Sequence, residues 1–159
     1  MKTKNFLILI ILLGGLTNCG KDENLHINNG IINFRDGQKV SDVIVKYNEI
    51  TGYDSTKCIF RVDETAWERI HNSTSFDPPF FKLAVALDNQ IIYNATYVPG
   101  YISSSNYDII TFMLGVPDLV YIRLGYAASP ELFTGEDLRN DMRLIDQLKE
   151  DNKIIEIED

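Results

Sequence analysis

The chain is poor in the residues and spacings that do chemistry. Its 159 residues include only two histidines, and no G-x-S-x-G, P-loop, G-x-G-x-x-G or H-E-x-x-H motif occurs. Basic clusters are also missing. With 15 Lys+Arg against 23 Asp+Glu the net charge is -8, and nucleic acid or a broad anionic lipid surface would need counterion-displacing Lys and Arg. No apolar run reaches the roughly 20 residues of a membrane-spanning helix. The longest, Phe6 to Leu13, has eight. Cysteine is scarce too, with Cys19 and Cys58 alone. Hydrophobic content of 45% and charged content of 24% are those of an ordinary globular fold. The length suits one domain, which at this size needs neither disulfide nor metal to stand up.

The N-terminus is built in three parts. Lys2 and Lys4 precede the apolar run, Gly14 and Gly15 follow it, and the chain turns polar at Asn18, the order of a signal peptide. Leu16-Thr17-Asn18-Cys19 resembles the bacterial lipobox, with Asn18 where Gly or Ala is usual, a relaxed form common in lipoproteins of the Bacteroidota. The resemblance implies that residues 1–18 are removed and that the Cys19 thiol carries a diacylglyceryl group. Several acyl chains, each gaining about 0.8 kcal/mol per buried methylene, anchor a protein for good. Removal of Lys2 and Lys4 takes the net charge from -8 to -10. Lys21-Asp22-Glu23 is similar to the export signal of surface-exposed Bacteroidota lipoproteins, which implies the outer membrane facing the cell exterior, the periplasmic face being the alternative. Residues 19–30 are polar, and ten such residues span roughly 18 Å, so the domain is expected to stay near the membrane.

Residues 31–159 read as a single β-rich domain. Short strands are expected at Ile31–Phe34, Val43–Ile50, Lys57–Val62, Asp108–Leu114 and Val120–Tyr126, with Thr51-Gly52-Tyr53-Asp54 ending the second. Residues 81–98 form the clearest hairpin: Phe81, Leu83, Val85 and Leu87 alternate, Ile91, Tyr93, Ala95 and Tyr97 alternate on the return, and Asp88-Asn89 turns between them. The pattern changes near 63–71, where Asp63 can cap a short helix with Ala66, Trp67 and Ile70 on one face. A second helix is expected near 135–150, opened by Thr134 as cap and carrying Leu138, Met142, Ile145 and Leu148 as its apolar stripe. Lys153–Glu158 reads as a last edge strand. The fold class expected is α+β, an antiparallel sheet of about six to eight strands with helices packed on it.

Candidate sites are few. With Cys19 lipidated, Cys58 has no disulfide partner and reads as a small buried hydrophobe. Glu68 and His71 have E-x-x-H spacing, but a di-iron centre needs two such motifs and two further Glu, so the pair reads as solvated surface and no metal or cofactor is expected. Acids are numerous enough to pair by composition alone, and no glycosidase-like dyad can be assigned. Asp54-Ser55-Thr56 resembles the motif on which Bacteroidota O-glycosylate exported proteins, which makes Ser55 a candidate modification site. Phe76, Phe80, Phe81 and Pro78-Pro79 form an aromatic and proline cluster. Tyr101 and Tyr107 flank a Ser-rich loop, and Tyr121 and Arg123 point away from Val120, Ile122 and Leu124, so these four are the candidate binding surface. The reading that results is a non-enzymatic binding or accessory lipoprotein recognising a glycan or a protein at the cell surface. The alternatives are an inhibitor or immunity-type lipoprotein using its acidic charge, and a small hydrolase built on His71.

Overall fold

The computed structural model describes residues 30–34, 42–72, 82–88, 90–101, 106–126 and 130–158. The signal peptide, Cys19, Lys21, Asp22, Glu23 and the aromatic and proline cluster at 76–81 lie outside them. Eight strands run as β1 Gly30–Phe34, β2 Asp42–Lys46, β3 Ile50–Asp54, β4 Ile59–Val62, β5 Lys82–Leu87, β6 Gln90–Tyr97, β7 Asn106–Leu114 and β8 Leu119–Tyr126. They form one sheet in the order β2-β1-β5-β6-β7-β8-β4-β3. Two helices, α1 Glu64–His71 and α2 Met142–Glu150, complete an α+β fold. Every pairing is antiparallel except β6 with β7, where Thr96 and Tyr97 lie in parallel beside Thr111 and Phe112.

This sheet cannot be flat. Its edge strands β2 and β3 are consecutive in the chain, joined by the three-residue 3-10 turn Tyr47–Glu49. Four Cα steps of 3.8 Å reach at most about 15 Å, whereas eight flat strands would hold their edges about 34 Å apart at 4.8 Å spacing. The sheet therefore curls until its edges nearly meet, giving an open barrel with a seam between β2 and β3. The expected strand Val43–Ile50 is corrected to match: it is two strands on opposite sides of the seam, broken at Tyr47-Asn48-Glu49. Glu49 makes the break. Its carboxylate accepts from the Lys46 amide at 2.7 Å, folding the turn back on itself, and its burial draws Arg69 onto it.

Both helices fasten at this turn. In α1, Arg69 pairs with Glu49 and donates from Nε to the Ile44 carbonyl of β2 at 2.9 Å. That bond covers one of the carbonyls an edge strand would otherwise leave unpaired. At the C-terminal end of α2, the Tyr47 hydroxyl donates to Oδ2 of the cap residue Asp151 at 2.6 Å and lies 3.4 Å from the Gln147 carbonyl. The barrel interior and the apolar faces of both helices make one core, with Ala66 and Ile70 of α1 and Leu144, Ile145 and Leu148 of α2 packed among Tyr53, Phe60, Phe112 and Ile122.

The C-terminal helix is shorter than expected. It starts at Met142, with Asp141 as its cap accepting from the Arg143 amide at 2.9 Å, and Thr134 caps nothing. Residues 133–141 form instead an irregular strap, because its polar side chains bond to the barrel and to the strap's own backbone. Asp137 accepts from the Arg139 amide, Arg139 reaches the Ile122 carbonyl at 3.3 Å, and Asn140 donates to the Ser55 carbonyl at 2.9 Å. Beyond α2 the expected edge strand is reduced to one bridge, Tyr53 to Ile154 in parallel. The tail still seals β3: the Tyr53 amide donates to the Lys153 carbonyl and the Ile155 amide to the Tyr53 carbonyl. Ile157 covers Ile59 and Leu119 on the outer wall, with Ile155 and Tyr121 packed beside them.

Candidate functional site

An open groove of about 580 Å³ lies between α1, β3, β4 and the β7–β8 turn of residues 115–118. Asp63 sets the helix in place by accepting from the Ala66 amide at 2.8 Å, as an N-cap should. The carboxylate of Glu64 then sits in the first turn, and Arg69 and His71 in the last, where the helix dipole favours each sign. One face of α1 presents Glu64, Trp67 and Glu68 to the groove. The opposite wall is Arg61 of β4, with Pro117 and Asp118 of the turn. Asp118 adopts φ 67, a conformation Asp tolerates better than most residues, and its carbonyl accepts from the Val62 amide at 2.9 Å.

The charges in this groove are loosely partnered. Arg61 Nε stands 3.8 Å from Asp118 Oδ2, beyond hydrogen-bond distance, with both side chains two-fifths or more exposed. The Nε atom itself is buried and has no hydrogen-bond partner among the described residues. Glu64 and Glu68 are exposed, lie one helical turn apart and make no ion pair among the described residues. Trp67 is half-buried against the core, with the His71 ring stacked on it at 6.0 Å. An aromatic ring among carboxylates and one guanidinium can hold a cation, a hydroxyl-rich ligand or a peptide.

A second polar cluster lies at the β3–β4 turn and is built in the opposite way. Asp54 is buried, and one oxygen accepts from the Thr56 amide, the Thr56 hydroxyl and the Lys57 amide while the other takes the Ile157 amide at 3.0 Å. Burial alone would raise its pKa, but these four bonds outweigh it and hold the carboxyl well below the usual carboxylate range. Cys58 follows at φ 55 as the last turn residue, so β4 begins at Ile59 and not at Lys57. The thiol is buried, as the sequence implied. Asn140 Nδ2 lies 3.8 Å from its sulfur, and the Tyr53 hydroxyl bonds to the Arg139 carbonyl at 2.9 Å. Burial raises the pKa of Tyr53 far above the ordinary tyrosine value.

The residues singled out from sequence are scattered over this frame. Ser55 lies half-buried inside the Asp54 turn, its carbonyl taken by Asn140. Tyr101 is 84% exposed in a turn after β6, and Tyr107 is exposed on β7, where its carbonyl holds the Thr134 amide. Tyr121 and Arg123 do point outward from β8, with the guanidinium 5.4 Å from the ring, but Tyr121 is half-covered by the tail. Among the described residues no hydrogen bond or ring contact joins Tyr101 or Tyr107 to Tyr121 or Arg123. Glu68 and His71 share no ligand geometry: His71 is exposed on Trp67, with no carboxylate partner among the described residues.

The groove residues Arg61, Trp67 and Asp118 were not singled out as a site. No sequence spacing brings them together; the β4–β8 pairing, which sets Arg61 beside Leu119, does so. The one usable signal is that Trp67 is the chain's single tryptophan beside two acids of like charge at helical spacing. Comparison of the chain with protein-family models, with curated proteins and with solved structures finds no match in any of the three.

Proposed function

We propose that this is a lipid-anchored, non-enzymatic binding or accessory module of the outer membrane, facing the cell exterior. The observation that carries the binding reading is the groove along α1, where a half-buried tryptophan meets charged side chains that the fold leaves without close partners. Asp54, Glu49 and Arg69 are by contrast tied into turns and an edge, and that difference supports reading the groove as a surface for a partner. The anchor rests on the lipobox at Cys19, and the outward direction on Lys21, Asp22 and Glu23. The acidic balance supports a protein or glycan partner over nucleic acid.

The inhibitor or immunity-type reading has its own support. Residues 131–158 carry nine acids against four basic residues, together with exposed Leu132 and Met142. Two experiments test the proposal. Palmitate labelling should mark the wild type and fail on Cys19→Ala; labelling that survives the substitution removes the anchor. Affinity capture from envelope extract and a glycan array, run with wild type and Trp67→Ala, should show a ligand lost on substitution. Equal capture by both proteins removes the groove.

A further inference from the structure

We propose that the groove along α1 receives a basic side chain, a lysine or arginine presented by a protein partner, held against Trp67 between Glu64 and Glu68. The inference rests on the binding reading above and names the occupant.

Charge decides the class. Four carboxylates line the groove, Asp63, Glu64, Glu68 and Asp118, against the single guanidinium of Arg61. Two of them already have work in the fold, Asp63 as the cap of α1 and Asp118 facing Arg61. Glu64 and Glu68 make no ion pair among the described residues. They sit at i and i+4 on one helix face, a like-charge pair that weakens a helix, and both are exposed at the lip of the cleft. A cation placed between them turns that repulsion into attraction. Trp67, between the two in sequence and facing the same groove, supplies the ring face on which an ammonium or guanidinium packs.

The opposite wall fits the backbone of the same partner. The Arg61 side chain is two-fifths exposed there, and a peptide carbonyl is a neutral acceptor for its guanidinium that adds no negative charge. An acidic peptide would meet four carboxylates. A neutral oligosaccharide could stack on Trp67 but would leave the Glu64–Glu68 repulsion in place. The groove volume of about 580 Å³ holds a long side chain with a stretch of its own backbone.

Trp67 is the chain's only tryptophan, so its fluorescence reports on this groove in the full-length chain held in detergent micelles. Three probes are titrated: a capped hexapeptide alternating glycine and arginine, the same peptide with glutamate for arginine, and cellohexaose. The arginine peptide is expected to shift the Trp67 emission saturably, and to bind more weakly as salt rises from about 0.02 M to 0.5 M. Glu64→Gln with Glu68→Gln is expected to weaken it about fivefold with the thermal midpoint unchanged or slightly raised. No saturable shift, or equal binding by the double variant, overturns the inference. Saturation by cellohexaose with none by the arginine peptide overturns the basic occupant while leaving the groove a binding site. If none of the three probes moves the emission, the groove reading falls with it.

Discussion

The turn that joins β3 to β4 and the groove beside α1 are both polar regions on the same strands, and they treat charge in opposite ways. At Asp54 four donors converge on one buried carboxylate, and a tail from a hundred residues away supplies one of them. At the groove, Arg61 and Asp118 stop at 3.8 Å, and Glu64 and Glu68 stand one helical turn apart with no ion pair among the described residues. Removing one partner of a buried, fully bonded charge is costly because the donors left behind are unsatisfied. Removing a loosely held surface charge costs the fold little. Polar residues that the fold needs are therefore separable from those it merely carries.

The largest effect expected on either side is at Asp54. Asp54→Ala should destabilise the domain by about 3–5 kcal/mol, read as a lower urea midpoint, and Asp54→Asn, which keeps one acceptor oxygen, by about 2 kcal/mol. The pH dependence follows from the sign of the shift. A carboxyl whose pKa is depressed by folding stabilises fully above the ordinary carboxylate range, and that contribution is lost as pH falls through the range toward the folded value. Wild-type stability should thus decline below about pH 4, and Asp54→Asn should flatten the decline. An unchanged acid profile in Asp54→Asn would place the acid sensitivity elsewhere.

Glu49 is next in size. Burial opposes its ionisation, but the bonds from Arg69 and the Lys46 amide prevail and lower its pKa. Glu49→Ala should cost about 2 kcal/mol and loosen the seam, read as faster amide exchange in β2 and the start of β3. Gly52→Ala tests the tail. A Cβ there would overlap the Ile155 side chain, which must move out of its packing on the wall at a cost of about 1–2 kcal/mol. The Tyr53 amide, which donates to Lys153, should then exchange faster while the Val62 amide does not. The smallest effect belongs to the groove: Glu64→Gln with Glu68→Gln should move stability by less than about 0.5 kcal/mol, upward if at all. A loss of more than about 1 kcal/mol there would mean that these carboxylates serve the fold.

Much of the architecture was legible in the sequence where pattern is local. Alternation over residues 83–97 and the Asp88 turn found the β5–β6 hairpin, and Leu87 does pair with Gln90. Asp63 announced α1. The failures share one cause, which is contact between distant segments. Val43 to Ile50 alternates well enough to read as one strand, and it is the burial of Glu49 against Arg69, twenty residues on, that breaks it. Thr134 to Leu138 has the periodicity of a helix start, but Asp137 is spent on Arg139, Arg139 on Ile122 and Asn140 on Ser55. The groove was illegible for the same reason: its walls come from residues 51, 61–64, 67, 68, 117 and 118, and the β3–β4 and β4–β8 pairings bring them together. Tyr121 and Arg123 were read correctly as outward, yet the tail that covers Tyr121 lies more than thirty residues further on.

The most direct test of the contrast between the two regions is photo-crosslinking in intact cells. Benzoyl-phenylalanine is placed at Glu68, at the lip of the groove, or at Glu156, exposed on the sealed tail. The expected result is a discrete protein adduct from position 68 that disappears with Trp67→Ala, and none from position 156. An adduct from position 156 with none from position 68 would contradict it, and would place the working surface on the sealed tail.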